Sequence, residues 1–194
     1  MTQPADILRF WFDDTDPKLR FVSTPEFDAK IRRQFAKAIE EEARRVKAGS
    51  HPWLETADGG LALILLFDQF TRNVWRGSGK AFEFDPLARQ IARAMIEAGQ
   101  DLDIPDDRRS FVYMPFMHSE ELADQDTSIE LFSTRLPEGN NNLHHARLHR
   151  DVIIKFGRFP YRNEALGRTS TPDERAYLEG GGYAPGTKRP AEKT

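Results

Sequence analysis

Apolar residues recur at intervals of three and four along most of this chain, and this spacing constrains the fold more than any other feature. Phe27, Ile31 and Phe35 begin one such stripe, whose side chains share one face of a helix. Short alternating runs of β-branched residues, which are typical of strands, are missing. The sequence therefore predicts an all-α protein of about eight helices with no significant sheet.

Capping signals predict where these helices begin and end. Thr24 with Pro25 and Asp85 with Pro86 mark helix starts, because a cap residue followed by proline suits a first turn. Thr171 begins a capping box for the last helix. The other expected boundaries are a helix over residues 58–75, one that starts at Pro105 and breaks at Pro115, one capped by Ser119, and one over residues 141–156.

The expected loops are short, which favours antiparallel helix pairs in an α-solenoid or an irregular bundle. No linker divides the 194 residues into two cores, so we expect one helical domain over residues 1–183. The chain from residue 180 onward is rich in glycine, proline and lysine and has few apolar residues. We expect residues 184–194 to form a disordered tail.

Composition excludes several classes of function. The net charge of -3 gives no basic footprint for nucleic acid, and the most apolar run, residues 61–67, is too short to span a bilayer. The absence of cysteine excludes disulfides and thiolate chemistry, and the first residues lack the features of a signal peptide. We expect a cytoplasmic protein with neither a nucleic-acid nor a membrane partner, while the oligomeric state stays open.

Two segments, residues 67–77 and 156–163, are dense in arginine and aromatic residues and look like halves of one site. A buried guanidinium group is unfavourable unless an anion pairs with it. These arginines therefore meet either carboxylates of the protein or the anion of a ligand.

The first segment continues a helix whose N-terminal half is apolar all round, so both faces of this helix are expected to be buried. Asp68 lies four residues before Arg72, which is the favourable order for an ion pair. The pair is either a structural salt bridge, or Asp68 orients Arg72 and Arg76 toward an anion. Gln69 and Asn73 are placed to add neutral hydrogen bonds.

Between the two segments, His118 precedes the start of a predicted helix, where the helix dipole favours bound anions. Paired with Glu120 or Asp68, His118 is a candidate acid/base residue. The dipole alone also accounts for Glu120. Gln125 lies on the apolar stripe of the same helix, and a buried amide needs partners, for which the arginine segments are the nearest candidates.

His145 and His149 are four residues apart, a spacing at which two histidines can share a metal ion. No third ligand lies nearby in the sequence, so we predict neither a metal site nor a cofactor. His149 is either a core histidine bonded to a neighbour or part of a ligand site.

The second segment follows Gly157, which is expected to end a helix. We expect residues 158–163 to be extended, because the residue before a proline avoids helical geometry. Arg158 and Arg162 either satisfy the free carbonyls of that helix or bind the anion of a ligand. No acidic residue lies between Lys155 and Asn163, so these two arginines are the better candidates for free anion ligands.

The joint pattern of these segments resembles the mainly bacterial family called domain of unknown function 924. The matching stretches are Asp68-Gln69-Phe70 with Arg72-Asn73 and Arg76-Gly77, Pro115-Phe116-Met117-His118-Ser119-Glu120, Asp124-Gln125, His149-Arg150-Asp151, Phe156-Gly157-Arg158-Phe159-Pro160 with Arg162-Asn163, Leu166-Gly167-Arg168, and Ser170-Thr171. The resemblance covers residues 7–183 and implies an all-α, tetratricopeptide-like fold. It implies no biochemical activity.

Three functions remain open. The first is binding of an anionic small molecule or peptide in a groove, which requires unpaired guanidinium groups. The second is an enzyme with His118 as its acid/base residue, Asp68 or Glu120 as the orienting carboxylate, and an arginine clamp for the anion. In the third, the polar groups are structural and pair only with one another. The candidate ligand-binding residues are Arg72, Asn73, Arg76, Gln125, His149, Arg158, Arg162 and Asn163.

Overall fold

The computed structural model describes residues 2–22 and 24–185. This part of the chain contains eight helices, with the continuous helix α3 counted once, and no strand, as predicted. The helices are α1 (Pro4–Leu8, continued by a π-helical turn, Arg9–Asp13), α2 (Pro25–Lys47), α3 (Ala57–Ile64, a π-helical stretch Leu65–Phe70, and Thr71–Val74), α4 (Asp85–Glu97), α5 (Asp106–Met117), α6 (Leu122–Thr134), α7 (Asn141–Phe156) and α8 (Pro172–Glu179). Short 3-10 turns lie between them at Pro17–Arg20, Pro52–Glu55, Gly79–Phe82, Gln100–Asp103 and Pro160–Arg162.

Side-chain caps begin α2 and α8 where the sequence predicts them, whereas α4 begins at the predicted position without a side-chain cap. The hydroxyl of Thr24 accepts a hydrogen bond from the backbone N–H of Phe27 at 3.2 Å and starts α2. Thr171 and Glu174 form the expected capping box of α8. Helix α7 has the predicted bounds and ends at Gly157. The φ of Gly157 is 69°, in the left-handed region that glycine adopts without strain.

Three local predictions are wrong. Helix α5 continues through Pro115, because the two residues after it are buried and keep the last turn packed against the core. Ser119 does not cap α6, since its hydroxyl accepts the backbone N–H of Glu121 and the helix begins one residue later. Residues 158–163 are not wholly extended, because only Phe159 keeps that geometry before a 3-10 turn follows it.

Helix α3 forms the centre of the fold. Every residue from Gly59 to Thr71 is buried, so this helix has no solvent face over that length. Helices α1, α4 and α5 pack against it, and α2 packs against its π-helical stretch and last turn. The polar residues Asp68 and Gln69 of the π-helical stretch are therefore inside the protein, as the apolar first half of the helix predicts.

An aromatic core joins α1 to α2 and α3. The ring centroid of Phe10 lies 4.9 Å from that of Phe35 and 5.8 Å from that of Phe70. Such edge-on pairs stabilise a core beyond the area that they bury. The sequence gives no strong start signal for α1, because Gln3 is not a preferred cap residue. Pro4 in the first turn and the carboxylate of Asp6, which accepts the backbone N–H of Gln3, support its start, and its packing partners hold it in place.

The later helices pack in chain order, with α4 on α5, α5 on α6 and α6 on α7, while α8 contacts the turn Pro160–Arg162. No helix of the described residues is both long enough and apolar enough to cross a membrane. The tetratricopeptide-like arrangement stays a prediction. The sequence predicts a disordered tail over residues 184–194. Residues 186–194 of this tail lie outside the described part of the chain.

Gly59 provides a test of the central helix. A Cβ at this position would lie 2.1 Å from the backbone oxygen of Trp53, whereas a Cβ at Gly60 would lie 2.6 Å from Sδ of the flexible Met95 side chain. Gly59→Ala is therefore expected to lower the free energy of unfolding by about 3 kcal/mol, and Gly60→Ala by about 1 kcal/mol or less. Urea denaturation measures both values, and equal stability of the two variants would contradict this packing.

Candidate functional site

The carboxylate of Asp68 is the centre of the candidate site. Its side chain is fully buried, and Nδ1 of His118 lies 2.8 Å and 2.9 Å from its two oxygens. Gln69 donates to Oδ2 at 2.6 Å, and Arg72 donates to Oδ1 at 3.5 Å. Burial opposes ionisation, but His118 and Arg72 outweigh it and hold the pKa of Asp68 below its usual range. Asp68 is thus an anion inside the core, on a π-helical stretch of the kind that is frequent at functional sites.

Arg72 is held mainly by an acid from another helix. Its guanidinium donates to the two carboxylate oxygens of Asp85 at 2.6 Å and 2.9 Å, and to the backbone oxygen of Ala81 at 2.6 Å. Burial opposes the charge, but Asp85 and Asp68 outweigh it and raise the pKa of Arg72. The predicted pair with Asp68 exists but is the longer of the two. Arg72 is therefore a paired scaffold residue.

His118 follows the last residue of α5 and links the core to the surface. An ionised Asp68 can only accept, so Nδ1 of His118 carries a proton and Nε2 is left for another partner. The His118 side chain is 18% exposed, whereas Asp68 behind it is at 0%. In the described part of the chain no group hydrogen-bonds to Nε2. This is the arrangement of an acid/base histidine with an orienting carboxylate.

Glu120 and Glu174 hold the arginines around the second segment. Glu120 pairs with Arg168 at 2.7 Å and 2.9 Å, so it does not orient His118. Glu174 pairs with Arg158 at 2.6 Å and 2.9 Å and accepts from Asn163 at 3.2 Å. The expectation that Arg158 is a free anion ligand is therefore wrong, because an acid of α8 neutralises it.

Asn73 and Arg76 at the end of α3 bind one acid of α2. Asn73 donates to Asp28 at 2.8 Å, and Arg76 donates to the same carboxylate at 2.7 Å and 3.1 Å. These bonds join the two helices where α3 ends. Both residues lie away from His118 in the hydrogen-bond network and are structural ties.

Gln125 holds the loop that carries His118. This fully buried side chain donates through Nε2 to the backbone oxygens of Met117 at 2.7 Å and Ser119 at 2.6 Å. The expectation that its partners are the arginine segments is wrong. Its partners are instead backbone carbonyls of the loop between α5 and α6. Gln125 therefore fixes the backbone on both sides of His118.

Arg162 differs from the other arginines in its pairing. It is 5% exposed, its Nη1 donates to the backbone oxygen of His118 at 3.0 Å, and its Nε has no partner among the described residues. Oδ2 of Asp85 lies 3.8 Å from Nη1, beyond a hydrogen bond. Arg72 and Arg162 thus share Asp85, and their guanidinium carbons lie 4.9 Å and 4.6 Å from the ring centroid of Phe82. The two segments meet here.

His149 lies beside His118 in the interior. It is 2% exposed, and its ring centroid is 6.0 Å from that of His118 and 5.4 Å from that of Phe159. Nδ1 donates to the backbone oxygen of His145 at 2.9 Å, and Nε2 is buried with no partner in the described residues. Burial, helped by the charges of His118 and Arg162, lowers the pKa of His149 to about 3. His149 is therefore neutral.

The acids that pair with the arginines are the residues of this cluster that the sequence does not reveal. Asp85 begins α4 and Glu174 belongs to a capping box, so helix capping already explains an acid at each position. The described residues contain no group of three or more side chains that could hold a metal ion. Two surface clefts, of about 390 Å³ along α4 and about 850 Å³ between α7 and α8, do not include His118.

The neutral His149 predicts a pH dependence of stability. Its pKa is 6.5 in the unfolded chain and about 3 in the folded protein, so the unfolded state binds the extra proton between these values. The contribution of His149 to the free energy of unfolding is complete well above pH 6.5, and it is lost progressively as the pH falls toward 3. Between pH 6 and 5, His149→Phe is expected to reduce the slope of the unfolding free energy by about 1.2 kcal/mol per pH unit. Urea denaturation at several pH values measures this slope.

The same substitution at His144, on the exposed side of α7, controls for the ring change. An unchanged slope in His149→Phe would show that His149 is not kept neutral by the fold.

Comparisons with known proteins agree with this structure. Residues 7–182 match the family model described as "Bacterial protein of unknown function (DUF924)". The fold is also similar to a protein of unknown function, ATU0120, from Agrobacterium tumefaciens, with a TM-score of 0.83 and 43% sequence identity over 91% of this chain and 97% of that one. No curated protein matches the chain. The chain therefore belongs to the DUF924 family of bacterial proteins of unknown function.

Proposed function

We propose that this protein binds a small anionic molecule, a carboxylate or a phosphate, at Arg162 and His118. The observation that supports this most is the incomplete pairing of Arg162. Its guanidinium is 5% exposed, yet its nearest carboxylate oxygen is 3.8 Å away and its Nε lacks a partner in the described residues. Buried charges are normally paired and hydrogen-bonded, so the anion of a ligand would complete this environment.

The other arginines of the two segments do not offer such a site. Arg72 has Asp85 as a two-point partner, and Arg158 has Glu174 in the same way. A ligand would have to displace a carboxylate to bind either of them. These pairs support a structural role for most of the polar cluster. The proposed ligand site is therefore limited to Arg162 and His118.

His118 supplies the second half of the site. Asp68 and Asp85 balance Arg72 and Arg162 in charge, so an entering anion needs an additional proton to keep the cluster neutral. A protonated His118 can donate through Nδ1 to Asp68 and through Nε2 to the ligand. Its partial exposure makes His118 the point where a ligand first meets the site.

A thermal-shift screen of carboxylated and phosphorylated metabolites tests this function. A ligand at ten times its Kd stabilises the folded state by about 1.4 kcal/mol, which raises the Tm by about 4 °C for a chain of this size. We expect such a shift in the wild type and no shift in Arg162→Gln. The control is Arg175→Gln, which changes an exposed arginine of α8 and should keep the shift.

Circular dichroism verifies that both variants are folded before the comparison is made. Equal shifts in Arg162→Gln and the wild type, or no shift with any anion, would contradict the proposed site.

A second candidate function is acid/base catalysis on the bound anion, and the contact between Asp68 and His118 favours it. The 2.8 Å contact orients the imidazole and leaves Nε2 to accept or donate a proton. A positioned general acid or base typically contributes about 100-fold to 10,000-fold in rate.

Incubation of each ligand from the screen with the protein, followed by NMR, tests this candidate. We expect one ligand to be converted by the wild type and by Arg175→Gln. At saturating ligand, His118→Gln is expected to be at least about 100-fold slower, because its amide can donate to the anion but cannot transfer a proton. Binding without conversion of any ligand by the wild type would reject catalysis and leave the binding function.

A further inference from the structure

The buried nitrogen of His149 is a hydrogen-bond acceptor that the proposed function has not used. Nδ1 lies 2.9 Å from the backbone oxygen of His145, and a carbonyl can only accept, so Nδ1 carries the proton. In a neutral imidazole the other nitrogen is then bare. The low pKa of His149 keeps the ring neutral at physiological pH. Nε2 is therefore an acceptor inside the protein.

The groups around His149 do not supply a donor for it. The hydroxyl of Tyr183 is hydrogen-bonded to Nδ1 of His145 at 2.9 Å, and the Tyr183 ring stands edge-on to His149 with centroids 5.0 Å apart. Phe159 forms another wall, and its ring has no hydrogen to donate in a strong bond. Within the described residues Nε2 of His149 stays without a partner. A buried acceptor that lacks a donor is unfavourable, so the donor of a ligand would be stabilising here.

The guanidinium of Arg162 and the imidazole of His118 lie near this acceptor. The guanidinium carbon of Arg162 lies 4.4 Å from the ring centroid of Phe159, which itself contacts His149. The ring of His118 is 6.0 Å from that of His149. An anion held at Arg162 and His118 therefore lies beside residues that also surround His149. An ammonium group beside Arg162 is repelled, so the donor is a neutral group, and a hydroxyl is the smallest such group that donates a strong hydrogen bond.

We propose that the ligand is a small anion with a neighbouring hydroxyl, such as a hydroxycarboxylate or the phosphate ester of a polyol, and that Nε2 of His149 accepts the hydrogen of that hydroxyl. This inference rests on the proposed anion site at Arg162 and His118. It makes His149 the residue that selects hydroxylated anions over their deoxy counterparts. A site built to pair with a hydroxyl discriminates against an analogue without it, because the acceptor then stays unpaired.

Isothermal titration with matched pairs of anions tests this selection. The pairs are lactate with propionate, and glycerol 3-phosphate with propyl phosphate, which separate the carboxylate source from the phosphate source. We expect the wild type to bind the hydroxylated member of one pair at least tenfold more tightly. His149→Phe is expected to bind both members of that pair equally, because it keeps a ring but has no acceptor.

His149→Gln provides a second variant, since its amide oxygen can accept the same hydrogen bond. It should retain part of the preference, which a loss of packing alone would not allow. Equal binding of both members by the wild type, or an unchanged preference in His149→Phe, would overturn the role of His149 and leave the anion site intact. Failure of every anion to bind the wild type would overturn the anion site itself.

Discussion

The arrangement of α3, α4 and α5 depends on one buried carboxylate, that of Asp68, in the stretch of α3 over residues 59–71, which has no solvent face. It binds His118 from the end of α5 and Arg72 from its own helix. Arg72 then binds Asp85 at the start of α4. Through these bonds Asp68 is connected directly to the end of α5, and through Arg72 to the start of α4. The charge is tolerated because donors surround it, and each donor is in turn held by a neighbouring element.

Such a cluster is not a source of great net stability. The removal of charges from water offsets most of the attraction between them, and well-packed apolar side chains of the same volume often stabilise a protein as well. The aromatic core of α1, α2 and α3 already supplies that kind of packing. The polar cluster therefore contributes geometry more than stability. It fixes the ring of His118 and places Arg162 next to it with an unsatisfied nitrogen.

The helices could be predicted from the sequence because their signals are local. Thr24, Thr171 and Gly157 act within a single turn, and the end of α7 follows from Gly157. Ion-pair partners are not local: the partner of Arg158 is Glu174, from a helix that begins beyond the next turn. A pattern of three and four residues cannot show which surfaces meet. The π-helical stretch could not be predicted either, because its composition is that of an ordinary buried helix.

The same limit explains why the two arginine segments are unequal. They resemble each other in composition, yet the first lies inside a helix, where neighbouring elements satisfy Arg72 from several sides. The second lies on a 3-10 turn that presents Arg162 to the backbone of His118 and to three aromatic rings. Aromatic faces attract a guanidinium but accept no strong hydrogen bond from it, so its donor capacity is only partly used. His118 joins the segments, with its ring bound to the first and its carbonyl bound to the second. A ligand at this residue would therefore interact with both halves of the sequence pattern at once.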